Sequence, residues 1–319
     1  MLDEVESWLH RRSWSADDRP LARLLDAKRA AGARGSVSVV LPALNEEATV
    51  GDIVARIRSE LMTARVPLVD ELVVVDSGST DRTGDVAAAA GAKVVHRDAL
   101  LPRIPAVPGK GEVLWRSLLA TSGEIVCFVD ADLRDFRSRF VSGIVGPLLT
   151  EPSLQLVKGM YDRPLGDSPA GGGRVTELVA RPLLNLHWPR LAGFVQPLGG
   201  EYAARRSLLE RMPFPVGYGV ELALLVDALH AVGLDALAQV DVGVRKHRNQ
   251  DGQALGRMAA AIYRTAQLRL SGAPLTRPEL TQFDRVPDGG FAPRTHRVDT
   301  IERPPMGTVP EYASARAVA

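Results

Sequence analysis

Four short apolar runs, separated by segments of helical periodicity, constrain this chain more than any other feature. SVSVVLP (36–42), ELVVVD (71–76), AKVVH (92–96) and EIVCFVD (124–130) are dominated by Val and Ile and read as buried strands. After the first, Val50, Ile53, Val54, Ile57 and Leu61 recur at helical spacing, which marks an amphipathic helix over 45–61. Residues 77–91 read as a turn, a helix and a terminating glycine, and 109–123 as a further helix ending in glycine. Strands alternating with helices in this way require right-handed crossovers and a largely parallel sheet, so the fold class is α/β. In such sheets ligands bind beyond the carboxyl ends of the strands. Polar clusters stand at those ends here: Asn45 and Glu46, Asp76 and Ser77, Asp130 and Asp132.

Past about residue 150 the pattern is less regular. Residues 154–161 read as a strand, 171–186 as a glycine turn running into a helix, 201–212 and 220–233 as helices, and 236–247 as a last strand. The expected organisation is a lead-in over 1–35, helical in part, then a ligand-binding part over 36–135. A second part follows over 136–270, and a Pro/Gly/Arg-rich tail over 271–319 with little periodicity, extended or used at a subunit contact.

Composition excludes several classes. Lys and Arg number 39 against 38 Asp and Glu, a net charge of +1, which gives no reason to expect nucleic acid as a partner. No run approaches the roughly 18 apolar residues of a membrane span. The first residues, MLDEVESWLHRR, lack the apolar core of a secretory leader. The single cysteine, Cys127, permits no intramolecular disulfide and sits inside an apolar strand, where it reads as packing. The expectation is a cytoplasmic protein. Lysine occurs only at 28, 93, 110, 158 and 246 in a chain that otherwise uses arginine, which draws some attention to each.

The motifs carry the chemistry. Asp130-Ala131-Asp132 directly follows a buried strand, where two carboxylates can hold a hard divalent cation whose shell a diphosphate completes; a solvated turn is the plainer alternative. PALNEE (42–47) offers backbone around Pro42, Ala43 and Leu44 to a flat heterocycle, with Glu46 able to accept from a ring N–H, while Asn45 can equally cap the next helix. In DSGSTD (76–81), Ser79 or Thr80 can cap a helix with Asp81 in its first turn. Lys110 stands between glycines that would let a phosphate approach. GGGRVTEL (171–178) places Arg174 and Thr176 at a helix N-terminus, an anion site by its free N–H groups. GYGVE (217–221) sets Tyr218 and Glu221 on a glycine-loosened turn before an apolar helix, and RKHRN (245–249) is a basic run after a strand.

PALNEE, DSGSTDRT and DADL, in this order and spacing, resemble the nucleotide-sugar domain of GT-A-type glycosyltransferases over about residues 36–135. PGKGEVLWRSL, GGGRVTELVARPLL, QPLGGEYAARRSLL, GYGVELALLVD and VRKHRN resemble more narrowly the glucosyl-3-phosphoglycerate synthase family, over roughly 36–250. That resemblance implies a Rossmann-like nucleotide-sugar domain with a mainly parallel sheet and a smaller α/β acceptor-binding part. It implies glucose transfer from UDP-glucose to 3-phosphoglycerate with retention, Mg2+ or Mn2+ as cofactor, and a homodimer. It also implies an early step in methylglucose lipopolysaccharide-type polysaccharide synthesis. By the same resemblance Asp132 and His247 are metal ligands, and Asp132, Glu221, Lys110 and Arg174 are the catalytic set. Donor contacts fall on Pro42, Ala43, Leu44, Asn45, Glu46, Ser77, Lys110, Asp130 and Ala131. They continue through Tyr218, Gly219, Val220 and Glu221 to Arg245, Lys246, His247, Arg248, Asn249 and Gln250. Gly173, Arg174, Val175, Thr176 and Asn249 would bind the acceptor. Alternatives are a sister enzyme using GDP-mannose or another small acid, a sugar-1-phosphate nucleotidyltransferase, whose Gly-rich basic loop PALNEEAT lacks, and a binding module without activity.

Overall fold

A computed structural model describes residues 1–165, 168–246, 251–272, 279–286, 291–298 and 301–318. In chain order the elements open with α1 (Asp3–Arg12), β1 (Ser13–Ser15), α2 (Leu21–Ala31), β2 (Val37–Ala43), α3 (Val50–Leu61), β3 (Glu71–Asp76), α4 (Thr83–Ala89) and β4 (Lys93–His96). Next come α5 (Lys110–Ala120), β5 (Ile125–Phe128), α6 (Arg139–Thr150), β6 (Leu156–Asp162), β7 (Pro164–Leu165), β8 (Ser168–Gly171) and α7 (Arg181–His187). β9 (Tyr202–Arg205), α8 (Arg206–Leu209), β10 (Phe214–Pro215), α9 (Val220–Val232), β11 (Leu237–Val244) and α10 (Gly252–Ser271) follow. The chain closes with β12 (Glu279–Arg285), β13 (Phe291–Arg297), β14 (Glu302–Arg303) and α11 (Pro310–Val318).

Among the described residues, eight strands form one sheet in the order β1-β11-β6-β9-β5-β2-β3-β4. Every pairing in it is parallel except those of β9, which runs antiparallel to β5 and β6. The strands are apolar throughout because both faces are covered. Val40, Val126 and Phe128 face one core with α5 and α9, while Val39, Leu41, Ile125 and Cys127 face the other with α3 and α6. Cys127 is fully buried, and that burial pushes its thiol pKa up, consistent with packing rather than chemistry. The chain crosses from β2 to its two neighbours, β3 and β5, in opposite directions, so the crevice beyond the carboxyl ends of these strands is the topological switch point.

The structure departs from the sequence reading in three places. The lead-in is part of the sheet, with β1 pairing in register with β11 from Ser13 opposite Gln239. The expected helix over 201–212 is instead strand β9 followed by the single turn α8; its Ala- and Arg-rich composition favours a helix, but Tyr202, Ala203 and Ala204 are buried between β5 and β6, and that burial overrides propensity. The tail is ordered in its described portions: β12 and β13 form an antiparallel pair, β14 pairs with β10, and Tyr312 of α11 is buried. Its order comes from distant partners, which no local period records. Among the described residues, no helix is long and apolar enough to cross a membrane.

Arg206 shows how such partners act. It is fully buried and donates to the carbonyls of Gly123 (2.7 Å) and Leu118 (2.9 Å), to Thr121 Oγ1 (2.9 Å) and to Tyr312 Oη (3.0 Å). Arg206→Met strands these acceptors, and urea unfolding is expected to show a loss of about 3 kcal/mol; a loss below about 1 kcal/mol would mean that water replaces the guanidinium at little cost.

Candidate active site

The loops after β2, β3 and β5 are tied together by side chains acting on backbone. Asn45 takes a left-handed conformation (φ 58°). Its Oδ1 accepts from Thr80 N at 2.8 Å, and its own N–H donates to Ser79 Oγ at 2.9 Å. Glu46 N donates to Thr83 Oγ1 (2.8 Å), and Thr49 Oγ1 donates to the Ala131 carbonyl (2.6 Å). The helix caps expected at Asn45 and at Ser79 or Thr80 are therefore absent: α3 begins after Thr49 and α4 after Arg82, neither with a side-chain cap. Bonds between loops have taken the capping side chains.

Behind these loops lies a buried chain of charges. Lys110, the first residue of α5, places Nζ 2.6 Å from Asp130 Oδ1 and 2.8 Å from Glu221 Oε1. Burial works against the Lys110 ammonium, but Asp130 and Glu221 outweigh it and hold its pKa well above the ordinary lysine value. Burial likewise opposes the Asp130 carboxylate, yet Lys110 and Arg245 keep its pKa below the usual range. Arg245 is 4% exposed; one terminal nitrogen lies 2.7 Å from Asp130 Oδ2 and 3.3 Å from Asp132 Oδ1, and its Nε donates to Glu201 Oε1 at 2.8 Å. Asp132 differs from its neighbour. Burial raises its pKa, Arg245 only partly offsets this, and Asp130 and Glu201 add to the rise.

The glycines beside Lys110 also have a packing role. A Cβ at Gly109 would strike the Val216 carbonyl, and one at Gly111 the Pro215 carbonyl, so both let α5 close onto the backbone of β10 and the residue after it. The tail braces the same helix: Arg303 Nε pairs with Glu112 at 2.6 Å, and Trp115 Nε1 donates to the Pro304 carbonyl at 2.8 Å.

A cavity of about 650 Å³ opens over this cluster. Its wall holds Pro42, Ala43, Leu44, Asn45, Glu46 and Ser77 from the first two strand ends. Lys110, Asp130, Ala131, Asp132, Tyr218, Glu221 and Arg245 line it next, and Gly173, Arg174, Val175 and Thr176 complete it from the other side. Gly173 has φ 77°, and its carbonyl accepts from Glu177 N, so the glycine turn leads into helix as expected. The helix continues as a π turn over Thr176–Ala180 before α7, a geometry often found where a helix meets a functional site.

Some expected contacts fall elsewhere. Val220 points into the apolar core, and Gly219 packs against Thr265; neither lines the cavity. Lys246 is exposed and pairs with Asp135 at 2.8 Å, away from the cavity wall. His247, Arg248, Asn249 and Gln250 lie outside the described residues. The sequence reading missed other parts of the wall: Tyr161, Arg163, Leu198 and Gly200, and Leu255, Met258 and Ile262 of α10. The spacing of the last three is helical and legible; the glycine pair before Glu201 is the kind of signal that marks close backbone approach.

A divalent cation fits the donor set. Asp132 is a hard oxygen donor on the cavity wall whose only hydrogen bond among described residues is the long contact from Arg245. Among the described residues no three His, Cys, Asp or Glu cluster as a metal site, so a cation here would need ligands beyond that set, as when diphosphate oxygens join one carboxylate.

A mainly parallel α/β sheet whose switch point gathers a carboxylate rim, and whose cavity continues to the glycine turn at 173–176, is the architecture of a GT-A-type glycosyltransferase. Residues 38–163 match the family model Glycosyl transferase family 2. Glucosyl-3-phosphoglycerate synthase of Mycolicibacterium smegmatis is 52% identical over 306 residues, covering 95% of this chain and 98% of the relative. A crystal structure of glucosyl-3-phosphoglycerate synthase from Mycobacterium tuberculosis with Mn2+, UDP-glucose and phosphoglyceric acid is 48% identical with a TM-score of 0.80, covering 90% of this chain and 94% of that one. Mannosyl-3-phosphoglycerate synthase from Rubrobacter xylanophilus is 40% identical with a TM-score of 0.85, covering 95% and 97%. The chain belongs to the glucosyl-3-phosphoglycerate synthase family.

Gly200 provides a test of the charge cluster. A Cβ there would fall against the Asp130 carboxylate and Lys110 Nζ. Gly200→Ala is expected to lower kcat/KM about 100-fold with a near-native circular dichroism spectrum, because catalysis depends on sub-ångström placement. Unchanged kinetics would show that the Lys110–Asp130 pair can shift without consequence.

Proposed function

We propose that this chain transfers glucose from UDP-glucose to the 2-hydroxyl of 3-phosphoglycerate, with retention at the anomeric carbon and with Mg2+ or Mn2+. The observation that supports this best is that one cavity holds both the carboxylate rim of Asp130 and Asp132 and the anion-binding turn at 173–176. The Mycolicibacterium smegmatis glucosyl enzyme is 52% identical to this chain and the Rubrobacter xylanophilus mannosyl enzyme 40%, a difference that favours UDP-glucose over GDP-mannose. The reading carries with it a cytoplasmic location and the homodimer that the resemblance implies.

The residues divide the work. Pro42, Ala43, Leu44, Glu46 and Ser77 receive the nucleotide. Asp132, with His247, holds the cation, which when bound neutralises charge gathering on the leaving diphosphate. Lys110 is locked by Asp130 and Glu221, and Arg245 by Asp130 and Glu201, so both present fixed positive charge with no reorganisation during reaction. Glu221, with Tyr218 beside it on the cavity wall, takes glucose hydroxyls. Arg174, Thr176 and the N–H groups at the start of their helical turn grip the acceptor's phosphate and carboxylate, and Asn249 helps orient it. The anomeric carbon–oxygen bond to UDP breaks, the acceptor 2-oxygen bonds to the same face, and the hydroxyl proton passes to the departing diphosphate. Asp130 and Glu221 are both engaged by Lys110, which suits this direct route better than a covalent sugar–carboxylate adduct.

A screen of nucleotide sugars against phosphorylated and unphosphorylated glycerates tests the reading. UDP release is expected only with UDP-glucose and 3-phosphoglycerate together, with an α-glucoside identified by NMR; turnover of GDP-mannose in its place would overturn the donor assignment. Arg174→Ala is expected to raise the acceptor KM roughly 30-fold, about the 2 kcal/mol of a hydrogen bond to a charged group, with the donor KM within about twofold on the same grounds. A rise confined to the donor KM would put the acceptor elsewhere in the cavity.

A further inference from the structure

We propose that Glu201 is a positioning residue: its carboxylate clamps Arg245, and so leaves an oxygen of Asp132 directed to the cation and diphosphate. This rests on the nucleotide-sugar transfer proposed above and names a residue outside the set assigned to it.

Glu201 stands just before β9 and is fully buried. Its backbone is pinned, since its carbonyl accepts from Gly159 N of β6 at 2.8 Å. Both side-chain oxygens are engaged: Oε1 accepts from Arg245 Nε at 2.8 Å and Oε2 from the Tyr161 hydroxyl at 2.6 Å. A buried carboxylate is costly to keep charged without such partners. The turn before it is held by buried Lys158, whose Nζ donates to the Gly199 carbonyl at 2.8 Å and whose pKa burial pulls down to about 8. The 199–200 turn is thereby held under Asp130 and Lys110.

The consequence lies in how Arg245 shares itself. With Nε fixed on Glu201, one terminal nitrogen reaches Asp130 closely and Asp132 only at 3.3 Å. Asp132 thus keeps carboxylate capacity for another partner. With the Glu201 charge gone, Asp130 and Asp132 are the remaining carboxylates within ion-pair distance of Arg245 among the described residues. The guanidinium then turns toward Asp132 and competes for the oxygen a cation would use. Removing partners one step out from a metal ligand typically costs 10- to 100-fold in affinity.

The experiment is calorimetric titration of UDP into the full-length protein with and without Mn2+, alongside steady-state kinetics. Glu201→Gln keeps the shape and removes the charge. It is expected to weaken Mn2+-dependent UDP binding at least about tenfold, to lower kcat/KM for UDP-glucose in parallel, and to leave the 3-phosphoglycerate KM within twofold. Tyr161→Phe removes the other hydrogen bond and keeps the charge; its UDP binding is expected to change less than threefold. A glutamine variant with a lower Tm but wild-type Mn2+-dependent UDP affinity would overturn the proposal, as would equal losses in the two variants. If Glu201→Gln does not fold, Glu201→Asp, which shortens the clamp by one methylene, takes its place: weakened Mn2+-dependent UDP binding supports the clamp and unchanged binding overturns it. Wild-type protein that binds UDP with Mn2+ but does not turn over the proposed substrates would refute the functional reading, while the binding titrations still decide the role of Glu201.

Discussion

The ion pair between Lys110 and Asp130 joins the start of α5 to the carboxyl end of β5, and the rest of the site is arranged to keep it. Both groups are largely withdrawn from water, where an unpaired charge is costly and a paired one interacts strongly. Glu221 completes the lysine's coordination from α9, and Arg245 completes the aspartate's from the end of β11. Four segments distant in sequence are thus held to one point by charge. The glycines at 109, 111 and 200 are the steric counterpart, since side chains there would displace either the backbone of Pro215 and Val216 or the pair itself.

This arrangement explains why the antiparallel strand β9 is where it is. It separates β2 to β5 from β6 and β11, and the turn leading into it carries Gly199, Gly200 and Glu201 under the carboxylate rim. β6, β9 and β11, from the part beyond residue 136, therefore extend the same eight-stranded sheet, and β7 and β8 add a two-stranded pair of their own. The turn at 173–176 and the carboxylate rim line one cavity. The C-terminal segment takes part as a brace, through Arg303 on Glu112 and Pro304 on Trp115, on the helix that presents Lys110.

Much of this was legible in the chain because it is local. The strands β2 to β5 announce themselves by unbroken apolar runs, and their polar ends by Asn45, Asp76 and Asp130. The turn at Gly173 and the helix beginning at Arg174 follow from glycine and helix-terminus chemistry. Legibility failed where one local signal had two uses. Asn45 and Ser79 carry the letters of helix caps, but they bond loop to loop. EYAARR carries helical composition, but it is a strand wherever two neighbours can bury it.

By itself the sequence determined the α/β class, the end of the sheet where chemistry sits, and the residue types waiting there, because periodicity and strand-end polarity are properties of short segments. Only the tertiary structure decided which charges pair. That Arg245 divides itself among Asp130, Asp132 and Glu201, and that Lys110 bridges Asp130 and Glu221, depends on contacts spanning up to 115 residues, set by strand order and burial. An electrostatic preference of this kind has no period to read: a carboxylate finds its partner only after the fold has removed the water that would otherwise serve it.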